Sequence, residues 1–163
     1  MSVVCDTGPI IALAKLDRLN WFGTFFGFVA IPEAVVRELS AKPSPESTRI
    51  AGAIGSLLRP IVAPVPPLTV LIRTRHLGPG EREAIALADL GRSLLILDDH
   101  QARRAARDLG LSVTGTVGLV LEAKARNLIS NARAALVVMR DRGYWFSDRL
   151  IEHAAEMAGE SSR

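Results

Sequence analysis

The chain has 163 residues and a formal net charge of +3, with 48% hydrophobic and only 5% aromatic residues. Its single cysteine excludes an internal disulfide and a cysteine-based zinc site, and three scattered histidines argue against a histidine-rich metal site. The basic pI of 9.6 weakly favours nucleic acid over an acidic small molecule as partner. The longest apolar window is too short for a bilayer and no charged n-region opens the chain, so we expect a cytoplasmic protein without membrane association or secretion signal.

Strand-like and helix-like segments alternate along the chain. The strand-like runs are "SVVCDTGP", "FGFVAIP", "SLLILDD" and "LSVTGT", and a proline-cut run, "PIVAPVPP", belongs at a sheet edge or outside the sheet. Helical segments separate them, and "PEAVVRELS" has Pro32 at its predicted first position. This order predicts an α/β fold with a parallel sheet of about four to five strands and crossover helices. The length predicts one domain over residues 1–163, with a helical C-terminal part at about 131–159.

Acidic and hydroxyl side chains follow three of the predicted strands. Asp6 follows the first strand, Asp98 and Asp99 follow the third, and Thr114 and Thr116 follow or end the fourth. Because open α/β sheets bind ligands outside the carboxyl ends of their strands, we expect these groups to face one cleft. Each of them could instead cap the helix that comes next. Capping explains less well why two like charges stand side by side.

Glutamates on two predicted helices can reach the same cleft. Glu38 shares a helix face with Ala34 and Val35, so its carboxylate needs a partner. The alternatives to a metal are a buried salt bridge or a position at the edge of that face. Glu83 lies on a similar apolar stripe of the later helix, and Glu81 lies on the adjoining stripe. Either of these two can be the third acid, or both can simply complement the helix dipole.

Carboxylates that converge in this way would recruit a divalent cation. The four acids expected to converge are Asp6, Glu38, Glu83 and Asp99. All-oxygen ligation without histidine or cysteine is typical of Mg²⁺ or Mn²⁺. On a chain with a basic surplus, such a site suits phosphodiester hydrolysis, with metal activation of water and of the leaving oxygen.

The order of these motifs resembles that of the PIN-domain nucleases, particularly the prokaryotic VapC-like toxin ribonucleases. The matching pieces are "VCDTGPIIAL", "IPEAVVREL", "LGPGEREAIALA", "LILDDHQARRAARDLGLSV" and "TGTVGLVLEAK", and the tail "RGYWFSDRLIEHAAEMAGE" is similar to the ending of one PIN subgroup. The resemblance implies a three-layer, Rossmann-like fold with the parallel sheet between helices. It also implies a metal-dependent endoribonuclease that acts on RNA as a homodimer and, as a toxin, is inhibited by a partner antitoxin.

The resemblance also implies roles for single residues. The catalytic, metal-binding acids would be Asp6, Glu38, Glu83 and Asp99. Thr7 would buttress the turn after the first strand, and Thr116 would orient a carboxylate or a water molecule. Many PIN toxins carry aspartate where this chain has Glu83, so the nearby Glu81 competes for the third position. Asp98 is an additional acid beyond the four and would be auxiliary.

Cations and a further hydroxyl near the acids are weaker candidates. Lys15, Arg103 and Arg104 would contact substrate phosphates, although a solvated cationic face explains the two arginines at least as well. Thr114 would be auxiliary to the acids. His100 is near them in sequence, but we expect it at the surface.

Two other functions stay open at this level. One is a catalytically silent PIN-like module that binds RNA or protein and holds Mg²⁺ only structurally. The other is a receiver-like phosphoryl-transfer protein, which also groups acids at strand ends. That reading requires an acid pair at the first strand, whereas this chain has its pair, Asp98 and Asp99, at a later one.

Overall fold

A computed structural model describes residues 2–160, which form five strands and ten helices. The strands are β1 (Val3–Cys5), β2 (Val29–Pro32), β3 (Leu58–Ile61), β4 (Leu94–Ile96) and β5 (Val113–Thr114). The helices are α1 (Thr7–Lys15), α2 (Asn20–Phe26), α3 (Glu33–Ala41), α4 (Ser47–Ala53), α5 (Leu68–Thr74), α6 (Pro79–Gly91), α7 (His100–Asp108), α8 (Thr116–Ala125), α9 (Ala132–Asp141) and α10 (Asp148–Met157). Within this range no helix combines the length and the apolar character that crossing a membrane requires.

The five strands form one parallel sheet in the order β3-β2-β1-β4-β5. The chain runs outward from β1 to β3 and then returns to the other side of β1 with β4. The register pairs Cys5 with Ile96, so the segments that follow β1 and β4 leave the sheet side by side. Open α/β sheets form ligand clefts where the strand order reverses, that is, between two neighbouring strands whose connections lead to opposite sides of the sheet. Asp6 and the Asp98–Asp99 pair therefore stand at that position, and the predicted parallel α/β fold is confirmed.

Side chains alternate between the two faces of the sheet and build two cores. Val3 and Cys5 pack into the larger core, which also takes residues from α1, α2, α8, α9 and α10. Val4 packs into the second core with α5, α6 and α7. The sheet thus lies between two helical layers, which confirms the expected three-layer arrangement. Trp21 and Phe22 of α2 are 2% and 0% exposed and pack in the larger core.

Two predicted boundaries are wrong by a few residues. Pro32 ends β2 and is the N-cap of α3 in an extended conformation, so the helix begins one residue later than expected. The proline-containing strand begins earlier, at Leu58, and only its first part joins the sheet. β3 is an edge strand paired only with β2, which is why Pro60, lacking an N–H, is tolerated in it.

Candidate metal centre

A cleft of about 600 Å³ opens at the carboxyl ends of β1 and β4. Three of its acids follow strands, and two come from α3 and α6. The five acids are Asp6, Glu38, Glu81, Asp98 and Asp99. Among the described residues that line the cleft there is no lysine or arginine. The cleft therefore concentrates negative charge, and within residues 2–160 no lysine or arginine side chain belongs to its wall.

Asp6 is the most deeply buried acid of the cleft, with 8% of its surface exposed. It occupies the N-cap position of α1, but its side chain makes no cap hydrogen bond, so the capping interpretation of Asp6 is wrong. Its Oδ1 is buried and has no hydrogen-bond partner among residues 2–160. Burial raises the pKa of Asp6 to about 7. The hydrogen bond from the Thr7 backbone amide lowers this pKa, and the negative charges of Glu81, Glu38 and Asp98 raise it. A proton or a cation would satisfy this oxygen.

Glu38 joins the starts of two helices. Its Oε2 accepts a hydrogen bond of 2.5 Å from the Thr7 hydroxyl, and its Oε1 accepts one of 2.9 Å from the backbone N–H of Gly80. A Cβ at position 80 would lie only 2.6 to 2.8 Å from the Glu38 carboxyl group, so the close approach requires glycine. Thr7 was expected to support the turn after the first strand, and its hydroxyl also contacts Glu38 directly.

Three donors hold the carboxylate of Asp98. The backbone N–H and the hydroxyl of Thr116 donate at 2.7 and 2.5 Å, and the Tyr144 hydroxyl donates to the same oxygen as the threonine hydroxyl. Glycines make room for this arrangement: a Cβ at Gly8 would lie 2.8 Å from the tyrosine oxygen, and one at Gly115 would lie 2.6 Å from Asp98 Oδ1. Thr116 therefore orients a carboxylate, and Asp98 lines the cleft in a fixed position.

Tyr144 is a cleft residue that the sequence analysis missed. It lies in the loop between α9 and α10, and only the quoted tail "RGYWFSDRL" pointed to this segment. Burial and the neighbouring Asp98 carboxylate raise the pKa of Tyr144, so the phenol stays protonated at neutral pH and can donate. No local pattern signals such a contact, because it depends on how the C-terminal helices pack against α1.

Asp99 has two roles in the structure. Its Oδ1 accepts a 2.9 Å hydrogen bond from the backbone N–H of Ala102, which confirms that it caps α7. The exposed side chain also lines the cleft. The cap uses Oδ1 and leaves Oδ2 for another partner, whereas both oxygens of Asp98 accept hydrogen bonds.

Glu81 lines the cleft from the first turn of α6. Its Oε2 accepts a 3.1 Å hydrogen bond from the backbone N–H of Gly78, which ties the carboxylate to the start of the helix. Burial raises the pKa of Glu81, and the negative charges of Asp99 and Glu38 raise it further. The hydrogen bond from Gly78 lowers this pKa but does not outweigh them. Glu81 thus belongs electrostatically to the same cluster as Asp6.

Glu83 is not among the residues that line the cleft, contrary to the expected convergence. Its Oε2 accepts a 2.8 Å hydrogen bond from the backbone N–H of Ala34 at the start of α3, and its Oε1 pairs with Arg37 at 3.5 Å. Residues two apart on a helix are about 200° apart around its axis, so Glu81 and Glu83 cannot face one cleft together. In the structure Glu81 lines the cleft, whereas Glu83 contacts the first turn of α3.

The cationic candidates have separate positions. Lys15 forms an ion pair of 3.3 Å with Glu46, with side chains 13% and 8% exposed, at the end of α1 away from the cleft, so the predicted phosphate contact is not supported. Arg104 is exposed and lines a different groove, between α5 and α7. Arg103 is half-buried and donates 2.8 Å to the Leu97 carbonyl next to Asp98. His100 is exposed, as expected, and Thr114 lines a pocket beside the cleft.

A family model described as a PIN domain matches residues 2–160. The chain belongs to the PIN-domain family. No curated protein and no solved structure matches the chain. PIN domains are generally nucleases and generally use divalent metals, so the resemblance drawn from the motifs is confirmed at the level of the family and of its nuclease-type fold.

The donors of this PIN-domain cleft fit a hard divalent cation. Its side chains offer only oxygen donors, most of them carboxylate oxygens, and the buried Oδ1 of Asp6 has no hydrogen-bond partner in the part of the chain that the structure describes. Between residues 2 and 160, no three histidine, cysteine, aspartate or glutamate side chains already form a group that could hold an ion. The fit therefore rests on the donor chemistry and on the unpaired buried oxygen.

Gly80→Ala is expected to displace the Glu38 carboxylate without weakening α6, because alanine is a better helix former than glycine. Mg²⁺ affinity, measured by calorimetric titration, should fall by about tenfold, the size of effect seen when groups that orient metal ligands are lost. Gly52→Ala in α4 is the matched control, since a Cβ there would meet nothing within 4 Å. Equal Mg²⁺ affinity in both variants would exclude Glu38 from the site.

Proposed function

We propose that this PIN domain is a divalent-metal-dependent endoribonuclease and the toxin of a toxin–antitoxin pair. The observation that carries the enzymatic part is the cleft of five carboxylates at the carboxyl ends of β1 and β4, where the buried Oδ1 of Asp6 has no hydrogen-bond partner among residues 2–160. RNA as substrate, an antitoxin partner, a homodimer and the toxin role rest on the resemblance of the ordered motifs to VapC-like ribonucleases.

The proposed ion, Mg²⁺ or Mn²⁺, would be held by cleft acids. We assign its ligands to Asp6, Glu38, Glu81 and Asp99, with Glu81 in place of Glu83. Bound there, the ion would supply activation of water and stabilisation of charge on the leaving oxygen. Asp98 is auxiliary in this proposal, because both of its oxygens are already engaged by Thr116 or Tyr144.

The protein's own groups explain why a cation is needed. A phosphodiester is anionic, and at close range the five carboxylates would repel it, because no lysine or arginine lines the described part of the cleft. Thr7 and Gly80 fix Glu38, and Thr116 and Tyr144 fix Asp98, so these charges cannot turn away when substrate approaches. The ionised carboxylates therefore stay in place, and the cleft becomes compatible with a phosphate when cations neutralise them.

The direct test is cleavage of labelled single-stranded RNA by the purified protein. Cleavage should require Mg²⁺ or Mn²⁺, stop on addition of EDTA, and be lost in Asp99→Asn. A DNA strand of the same sequence is the control for the substrate class. Metal-independent cleavage that survives both Asp6→Asn and Asp99→Asn would sink the proposal, and RNA binding without any cleavage would favour the silent module.

Asn substitutions at the paired aspartates should separate metal binding from folding. Asparagine caps helices as well as aspartate does, so Asp99→Asn should keep the stability of the fold but reduce the rise in Tm on Mg²⁺ addition. Asp98→Asn replaces an acceptor oxygen with an NH₂ group facing donors, so it should lower the unfolding free energy by about 1–3 kcal/mol. Thermal unfolding with and without Mg²⁺ measures both effects. If Asp98→Asn instead reduced the Mg²⁺-dependent rise in Tm and Asp99→Asn destabilised the fold, Asp98 would be the metal ligand and Asp99 the structural residue.

The toxin role predicts that expression of the chain arrests bacterial growth. Asp6→Asn should relieve the arrest at equal protein level, and co-expression of a small protein encoded directly upstream should do the same. Unimpaired growth with active, soluble ribonuclease present would separate the enzyme from the toxin proposal.

A further inference from the structure

A second pocket, of about 450 Å³, shares a wall with the acid cleft. Asp98 and Tyr144 line both spaces, so whatever fills the pocket lies directly beside the carboxylates. We call it the aromatic pocket and define it by Tyr144, Trp145 and Phe146 of the α9–α10 loop and by Val117 and Leu121 of α8. A single substrate strand can therefore occupy the cleft and the pocket together.

Trp145 is presented to this pocket by an anchored loop. Its side chain is 76% exposed, although tryptophan is among the residues that gain most from burial. On one side Tyr144 is held by its hydrogen bond to Asp98, and on the other Phe146 is 5% exposed and packs edge-to-face on the Tyr144 ring at 5.3 Å. Ser147 then caps α10 through a 3.1 Å hydrogen bond from the Leu150 N–H. These neighbours hold the backbone on both sides of Trp145, and the exposed indole lines the pocket.

A guanidinium and an imidazole lie among the groups that line the same pocket. Arg103 and His100 belong to its lining, and Arg103 uses one guanidinium nitrogen, Nη1, on the Leu97 carbonyl. A guanidinium carries five N–H donors, so it can contact a phosphate at the same time. An aromatic wall for a planar ring, with a cation for the adjoining phosphate, is the combination by which proteins hold single-stranded nucleotides.

We propose that the aromatic pocket binds the nucleobase next to the phosphodiester that lies in the acid cleft, with Trp145 stacked on the base and Arg103 on its phosphate. The proposal rests on the proposed ribonuclease function and adds where sequence preference arises. RNA is favoured over a protein segment as occupant because of the charge complementarity to Arg103 and the direct continuity with the phosphate-binding cleft. One pocket of this size takes one base, so one position of the RNA should carry the preference.

The test compares the effect of removing one base from the RNA with the effect of removing the indole of Trp145 from the protein. Fluorescein-labelled single-stranded RNA is prepared with one abasic nucleotide at each position in turn, and its Kd is measured in Ca²⁺ for wild type and Trp145→Ala. Loss of one stacked base typically weakens binding by about tenfold to a hundredfold. Trp145→Ala should show a loss of this size on intact RNA, and wild type should show it for one abasic position only. At that position the two losses should not add. Leu90→Ala, which removes a side chain 71% exposed on α6, is the control and should bind like wild type.

The outcomes separate this proposal from the ribonuclease proposal. Additive losses, or no loss in Trp145→Ala, overturn the base pocket while Mg²⁺-dependent cleavage can still stand. Coupled losses in a protein that never cleaves keep the pocket and overturn the ribonuclease. Wild type that does not bind RNA overturns both. If Trp145→Ala leaves RNA binding intact but changes the mass seen in sedimentation, the pocket serves a protein contact and the proposal is also overturned.

Discussion

Asp6→Asn should abolish metal-dependent cleavage and at the same time stabilise the metal-free protein. The substitution removes a charge that is buried among other carboxylates, but it also removes the proposed metal ligand, whose Oδ1 has no hydrogen-bond partner within residues 2–160. Cleavage should fall by at least about a hundredfold, as expected for loss of a ligand that organises a catalytic ion. In urea unfolding at pH 8 without metal, the variant should be more stable than wild type by a few kcal/mol, on the order of the linkage energy below.

The pH dependence of stability gives this prediction its sign. Asp6 has a pKa of about 7 in the folded protein against an ordinary value of 3.8. Between these values the folded state keeps a proton that the unfolded chain has lost, so the unfolding free energy falls as the pH rises. The full decrease is roughly 4 kcal/mol for a shift of this size. It should be complete above about pH 8 and absent in Asp6→Asn, and Mg²⁺ should offset it in wild type. Equal pH slopes for the two proteins between pH 4 and pH 7 would contradict the buried charge.

Glu81→Gln should lose cleavage by about a hundredfold or more, whereas Glu83→Gln should retain most of it. Glu81 lines the cleft, while Glu83 accepts the Ala34 N–H at 2.8 Å and pairs with Arg37. Glutamine keeps an acceptor oxygen for the backbone N–H that each glutamate contacts, so neither change should unfold the protein. The ion pair lost in Glu83→Gln is largely exposed and worth less than about 1 kcal/mol.

Initial cleavage rates at saturating Mn²⁺, together with Mn²⁺ affinity from calorimetry, measure this difference. The two substituted glutamates lie two residues apart on α6, so each variant serves as the control for the other. Loss of cleavage in Glu83→Gln with a normal Tm would restore Glu83 as the third acid and would require α6 to turn in the active protein.

Sequence alone was sufficient for the architecture and for most of the acids of the cleft. Alternating strand and helix signals imply a parallel sheet, and parallel strands must end at one edge. Asp6 and the Asp98–Asp99 pair were therefore bound to lie near one another. Glu38 could be assigned because Ala34 and Val35 mark the buried side of its helix. These conclusions need only the period of each element and the direction of the chain.

The rest depended on packing that no local pattern encodes. Glu81 and Glu83 both sit on apolar stripes, and only the rotation of α6 against the sheet and α3 decides which carboxylate enters the cleft. Lys15 has a suitable charge but a buried partner, Glu46, that directly precedes α4. Tyr144 reaches Asp98 across the fold because the C-terminal helices pack on α1. The sequence by itself determined which edge of the sheet carries the chemistry, since strand ends are set along the chain. Tertiary structure alone decided which side chains face the cleft, since helix rotation and long-range contacts are set by the complete core.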